Sequence, residues 1–161
     1  MYLFCKYSIS LIFCVNVYLI LMICSYTSSE LIHYYLCGIK NSCTISNVRI
    51  TPCPEALENE ACNLYRGINS TLTFDYVPTF NASTMTGQSY SRTFLLDIPN
   101  PDHDRDLCKY TTCPVEAGKK YTVNYTSYVK ESYPIGPYFV KWNIWGSYTD
   151  ECCFFFHITI L

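Results

Sequence analysis

The sequence is poor in charged residues and in glycine, and it shows almost no helical periodicity after residue 29. Only 15% of its 161 residues are charged and the formal net charge is −2, so no basic patch of the kind that binds nucleic acid is present. Its six glycines form no phosphate-binding loop, and no Gly-x-Ser-x-Gly nucleophile elbow occurs. These absences argue against an enzyme, a nucleic-acid-binding protein and a nucleotide cofactor. Because half of the residues are apolar, the chain is also not disordered.

One long apolar run lies near the N-terminus. Lys6 precedes the run Ile9–Cys24, and small residues follow as far as Ser29. This order predicts a signal peptide over residues 1–29 and a secreted, extracellular domain over residues 30–161, with the lysosomal lumen as the alternative destination. A retained anchor helix is the other interpretation, but the run is slightly shorter than the ~20 apolar residues that span a bilayer.

Cysteine is unusually abundant. Of the 11 cysteines, three fall within residues 1–29, which leaves eight in the predicted domain. An even number in a secreted domain indicates an oxidising compartment and up to four disulfides. Zinc binding is the alternative, but the spacings contain no pair of close Cys-x-x-Cys knuckles. We therefore predict disulfides and no metal site.

Period-two alternation dominates after residue 29. Apolar and polar residues alternate over residues 68–76, with Ser70 on the apolar face, and again over residues 121–130. Strands with one buried face produce this pattern. Further strands are predicted at Thr44–Thr51, Tyr90–Leu96, Phe139–Trp145 and Cys153–Ile160, with a shorter one near Thr79–Thr86. Six or seven short strands separated by turn signals predict an all-β fold, an antiparallel sandwich of two sheets.

Three Asn-x-Ser/Thr sequons agree with secretion. Two of their asparagines fall on the polar faces of predicted strands, where a glycan would point into solvent. The predicted glycosylation sites are Asn69, Asn81 and Asn124.

Several motifs along the chain together resemble one family. They are Thr51-Pro52-Cys53-Pro54, Cys62-Asn63-Leu64-Tyr65-Arg66-Gly67, Cys113-Pro114-Val115, Tyr133-Pro134 followed by Val140-Lys141-Trp142, and a final apolar strand led by cysteine. In this order they resemble the ML (lipid-recognition) domain family over residues 37–161. The resemblance implies an immunoglobulin-like sandwich with an apolar lipid cavity between its sheets.

The resemblance also implies three disulfides: Cys53–Cys62, Cys108–Cys113, and Cys37 with one of the last two cysteines, preferably Cys153. The remaining pair, Cys43 and Cys152, is predicted to form a fourth. Adjacent cysteines of a strand point to opposite faces, so Cys152 and Cys153 cannot both reach one partner position. The sequence therefore leaves open whether the partners of Cys37 and Cys43 are exchanged.

A lipid cavity would be lined by inward-facing residues of these strands. Val129 and Tyr133 fall where sterol-binding members of the family have cavity residues. The full predicted set is Leu72, Phe74, Phe94, Leu96, Val123, Tyr125, Val129, Tyr133, Val140, Trp142, Ile144, Phe156 and Ile158. Each of these residues has ordinary core packing as its alternative.

Loops are predicted to form the cavity mouth, near residues 99–105 and 133–137, because loops gate such pockets. Asn100 stands where the sterol carriers of the family have an aromatic residue, which leaves the lipid class open. Near the same loop, His103 lies among aspartates, and we expect a solvated turn there rather than an acid–base or metal site.

The predicted function is lipid binding and transfer. A monomer would hold a single lipid, such as a sterol or fatty acid, and exchange it with a membrane or a receptor protein. One alternative is an innate-immune recognition protein that presents a microbial glycolipid, with lysines at the mouth. Another is a ligand-free immunoglobulin-like adhesion module, which would have a filled interior.

Overall fold

The protein folds into two packed β-sheets. The computed structural model describes residues 30–38, 41–93, 95–147 and 149–161, so the predicted signal peptide lies outside the described residues. The described residues contain no α-helix, and none of their helical turns is long and apolar enough to cross a bilayer. The strands are β1 (Glu30–Leu31), β2 (Tyr34–Leu36), β3 (Cys43–Thr51), β4 (Cys62–Leu64), β5 (Asn69–Pro78), β6 (Thr86–Arg92), β7 (Asp97–Pro99), β8 (Tyr121–Tyr128), β9 (Gly136–Trp145) and β10 (Glu151–Ile160). Short 3-10 helices span Pro54–Glu58 and Leu107–Lys109.

The two sheets confirm the predicted sandwich. One has four strands in the order β1-β3-β5-β8, and the other has six, with the path β2-β10-β9-β6-β7. The sixth strand, β4, pairs with β10 in parallel, whereas the other pairings are antiparallel. Because period-two alternation turns one face of each strand inward, the two inner faces meet between the sheets.

Two of the predicted strands are wrong. The strand predicted at Tyr90–Leu96 instead lies at Thr86–Arg92, and the chain then turns. The Thr93 hydroxyl accepts a hydrogen bond from the Leu96 backbone N–H at 2.9 Å and donates one to the Leu96 carbonyl at 2.7 Å. The strand was predicted too far along the chain because residues 94–96 are all apolar. The segment Thr79–Thr86 forms only an isolated bridge at Ala82 before β6 begins.

A charged network fastens the outer face of the four-stranded sheet. A β-bulge in β3 places Asn47 at φ 52°, and its Nδ2 donates to Asp75 Oδ2 at 2.6 Å. Lys120 Nζ lies 2.7 Å from the same oxygen, and the Thr122 hydroxyl donates to Oδ1 at 2.6 Å. Burial raises the pKa of Asp75, but these hydrogen bonds outweigh it and lower the pKa to about 2. Asp75 is thus a buried, fully partnered carboxylate on a face that the sequence pattern assigns to solvent.

Four disulfides join the strands. Cys37–Cys153 and Cys43–Cys152 connect the start of the domain to β10, across 116 and 109 residues of sequence. Cys53–Cys62 and Cys108–Cys113 close short loops. Of the two arrangements that the sequence left open, the structure has the one that pairs Cys37 with Cys153.

Candidate functional site

A cavity of about 550 Å³ lies between the two sheets. The inner faces of β5 and β8 form one wall, and those of β6, β9 and β10 form the other. This volume falls within the range of small-ligand pockets. Its apolar lining includes Ile50, Leu64, Leu72, Ile98, Val129, Val140, Phe156, Ile158 and Ile160, together with the rings of Tyr110, Tyr125, Tyr133, Tyr138 and Trp142.

The opposite end of the sandwich is solid. Phe74 and Phe154 are fully buried, with ring centroids 4.9 Å apart, and Phe74 also lies 5.8 Å from Trp142. Because Trp142 lines the cavity whereas Phe74 and Phe154 do not, these two rings lie behind it. Trp142 and its neighbour Tyr125 therefore form the cavity floor, at a centroid distance of 5.0 Å.

A buried histidine supports this floor. The His103 ring stacks on Tyr125 at 4.5 Å and contacts Trp142 edge-on at 4.7 Å. Only 6% of His103 is exposed, and burial lowers its pKa to about 4, with Arg105 contributing in the same direction and Asp104 opposing. The expected solvated turn is thus wrong for His103, because the loop folds its ring under the floor. No cluster of three potential metal ligands occurs in the part of the chain that the structure describes.

The mouth is bridged by polar contacts. Lys130 Nζ, at the end of β8, lies 2.7 Å from Asp102 Oδ1 in the opposite loop. The Tyr133 hydroxyl donates to the other Asp102 oxygen at 3.1 Å, and Asn100 Oδ1 lies 3.4 Å away as a second acceptor that shares the same hydrogen. The ion pair lowers the pKa of Asp102, so this carboxylate is charged at neutral pH. We call these residues, Asn100, Asp102, Lys130 and Tyr133, the mouth clasp.

The predicted cavity residues fall into four groups. Those that line the cavity are Leu72, Tyr125, Val129, Tyr133, Val140, Trp142, Phe156 and Ile158. Phe74, Val123 and Ile144 are fully buried in the solid end and do not line it. Leu96 is a wrong prediction, because it lies in the turn after β6 and is 69% exposed. Phe94 lies outside the described residues.

Part of the cavity lining was not predicted from the sequence. Leu64 lies in a three-residue strand and Tyr110 follows a short 3-10 helix, so neither belongs to a clear alternation. Tyr138 lies on the same face of β9 as Val140 and Trp142 but falls one residue before the predicted strand. Ser89 and Ser91 occupy inward positions of β6, where a search for apolar residues cannot find them. Their spacing of two is the signal that would have placed them on one face.

The three sequon asparagines are exposed. Asn69 and Asn124 lie on the outer face of the four-stranded sheet, where Asn124 Oδ1 accepts from the Thr73 hydroxyl at 3.0 Å. Asn81 lies in the loop after β5, and its Oδ1 accepts from the Ala117 N–H at 2.8 Å. None of these three asparagines is among the residues that line the cavity.

Comparisons with known proteins agree with this architecture. The family model of the ML domain matches residues 32–160. The chain is 33% identical to an MD-2-related lipid-recognition protein from Manduca sexta over 115 residues, covering 70% of this chain and 72% of the relative. It is 31% identical to an ecdysteroid-regulated 16 kDa protein from the same species over 128 residues, covering 78% and 86% of the two chains. The crystal structure of a Niemann-Pick type C2 protein from the Japanese carpenter ant superposes with a TM-score of 0.71 at 16% identity, over 80% of this chain and 99% of that one. The resemblance in the motifs is confirmed: the chain belongs to the ML-domain family, whose members bind lipids.

Proposed function

We propose that this protein is a secreted carrier that holds a single lipid between its two sheets and transfers it to a membrane or a receptor protein. The observation that carries the proposal is the 550 Å³ cavity with an apolar lining and a polar mouth. A ligand-free adhesion module would have a filled interior instead. The eight lining residues that the sequence predicted are proposed as lipid contacts.

The energetics suit a reversible carrier. Burying roughly 400 Å² of apolar lipid surface stabilises the complex by about 10 kcal/mol at about 25 cal/mol per Å². Immobilising the lipid and ordering side chains costs several kcal/mol of this. Net affinity near or below the micromolar range follows, which allows both loading and release.

The mouth clasp gives the lipid an entrance and a polar boundary. Two apolar residues close to it in sequence are exposed, Ile98 at 53% and Ile135 at 61%. The hydrocarbon part of a lipid would enter between the sheets, while its polar end would stay near the charged clasp. Opening the clasp would break an exposed ion pair and the shared hydrogen bond of the Tyr133 hydroxyl.

Charge pairing favours a neutral or weakly polar cargo over a phosphorylated glycolipid. Five lysines that could attract an anionic headgroup already contact acidic residues of the protein: Lys109 pairs with Asp104, Lys119 with Glu116, Lys120 with Asp75, Lys130 with Asp102 and Lys141 with Asp97. An anionic headgroup would have to displace these carboxylates. The recognition function therefore predicts binding that weakens steeply with salt, and the carrier function predicts binding that does not.

The test is native mass spectrometry of the protein secreted from expressing cells, followed by extraction of its cargo. We expect a glycosylated monomer with one lipid, and treatment with a glycosidase should remove the glycans at the three sequons. Val129→Trp fills the cavity and should abolish lipid retention without lowering the melting temperature. Val77→Trp, on the outer face of β5, is the matched control and should retain lipid. Absence of lipid after loading with sterols and with fatty acids would refute the carrier function.

A further inference from the structure

Four serines line the cavity, two on each of its walls. Ser70 on β5 and Ser127 on β8 are cross-strand partners in the four-stranded sheet, and both line the cavity. Ser89 and Ser91 lie two residues apart on β6 and line the opposite wall beside Trp142 and Val140. The alternation of a sandwich strand would ordinarily put apolar side chains at these positions.

Ser70 has a hydroxyl that the protein itself does not use. It is 6% exposed and shares the inner face of β5 with Leu72 and Phe74. Its side chain makes no hydrogen bond to any other described residue, although it lines the cavity. The Ser70 oxygen borders the cavity and is not enclosed by protein, so its partner is either water or a polar atom of the cargo, and an apolar cargo would leave it unpaired.

Ser89 is directed toward the cavity by the buried histidine. Its Oγ lies 3.0 Å from His103 Nδ1, while His103 Nε2 is buried beside Gly87 without a hydrogen-bond partner. An orphaned N–H is rarer in proteins than an orphaned acceptor, so we place the ring proton on Nδ1. His103 then donates to Ser89 Oγ, and the Ser89 hydroxyl hydrogen is left to donate into the cavity.

We propose that the cargo is an oxygenated lipid, with a hydroxyl or carbonyl group on the part that enters the cavity. This inference rests on the proposed carrier function and names the class of ligand. An oxygen between the two walls would accept from Ser89, and a hydroxyl there would also bond to Ser70. A plain hydrocarbon chain or ring system of the same size would displace water from both serines and leave them unpaired.

Matched ligand pairs test the proposal. Displacement of a fluorescent fatty-acid probe is measured with stearic acid against a mid-chain hydroxystearic acid, and with cholesterol against a side-chain hydroxylated cholesterol. We expect the oxygenated member of at least one pair to bind about tenfold more tightly, a change that corresponds to about 1.4 kcal/mol. Ser70→Ala and Ser89→Ala should each reduce that preference, because the ligand oxygen then lacks a hydrogen-bond partner on that wall of the cavity.

The control variant is Ser132→Ala, which removes an exposed hydroxyl outside the cavity lining and should leave the preference unchanged. Because Ser89→Ala also removes the partner of His103, its melting temperature is measured as well. Ser70→Ala breaks no hydrogen bond of the protein and keeps the test valid if the other variant fails to fold. Equal binding of both members of each pair, or a preference that survives Ser70→Ala, would overturn the oxygenated cargo while leaving the carrier function intact. Binding of neither pair would overturn the carrier function itself, and this inference with it.

Discussion

Mild acid should destabilise the fold through His103. Burial under the cavity floor lowers the pKa of this ring from 6.5 to about 4. The unfolded chain therefore takes up the proton at a higher pH than the folded chain does. The free energy of unfolding should fall as the pH drops from about 6.5 to about 4 and should fall no further through this group below about 4. At 1.36 kcal/mol for each pKa unit, the loss by pH 4 is about 3 kcal/mol.

The pH window separates His103 from the carboxylates. The pKa values of Asp75, Asp102 and Asp104 are all lowered from 3.8, so the stability that these groups contribute is lost only below that value. Urea unfolding of the wild type and of His103→Asn, with the disulfides intact, is measured at several pH values between 7 and 4. The wild type should lose about 3 kcal/mol more than the variant over this range. Parallel pH profiles for the two proteins would show that the ring is not held neutral by burial.

Three further predictions concern the disulfides, the outer-face network and the mouth. Replacing either Cys37–Cys153 or Cys43–Cys152 with serines should lower the free energy of unfolding by only about 2 kcal/mol, because the remaining bridge still closes the long loop. Removing both bridges should lower it by about 7 kcal/mol by the chain-entropy estimate. Simple additivity of the two losses in a double-mutant cycle would contradict this prediction. Asp75→Asn should lower the free energy of unfolding by about 2 kcal/mol at pH 7, since the pKa of this carboxyl is lowered to about 2. The difference from the wild type should vanish as the pH falls through 2. A difference that persists in acid would indicate a packing effect instead. Lys130→Ala opens the mouth clasp and should speed release of a bound fluorescent lipid with little change in melting temperature, because the ion pair is exposed; an unchanged release rate would place the exit elsewhere.

The long alternating segments were predictable because each has only one way to bury its apolar face. Residues 68–76 and 121–130 became the paired strands β5 and β8, and their exposed asparagines fell on the outer face. The turn after β6 was not predictable in this way. Its leucines look like strand residues, and only the hydrogen bonds of Thr93 show that the chain reverses there.

The amino-acid sequence by itself determined the all-β class, the family and most of the inward-facing residues of the long strands, because alternation and motif order can be read along the chain. Tertiary structure alone decided which inward residues border empty space. Phe74, Val123 and Ile144 meet the opposite sheet and fill one end, while Val129 and Val140, with the same alternation, border the cavity. The separation of the two sheets makes that difference, and it depends on contacts between residues far apart in the chain. The polar features of the site were hidden for the same reason, because Ser70 and Ser89 belong to opposite sheets and only the folded sandwich brings both to one cavity, with His103 beside Ser89.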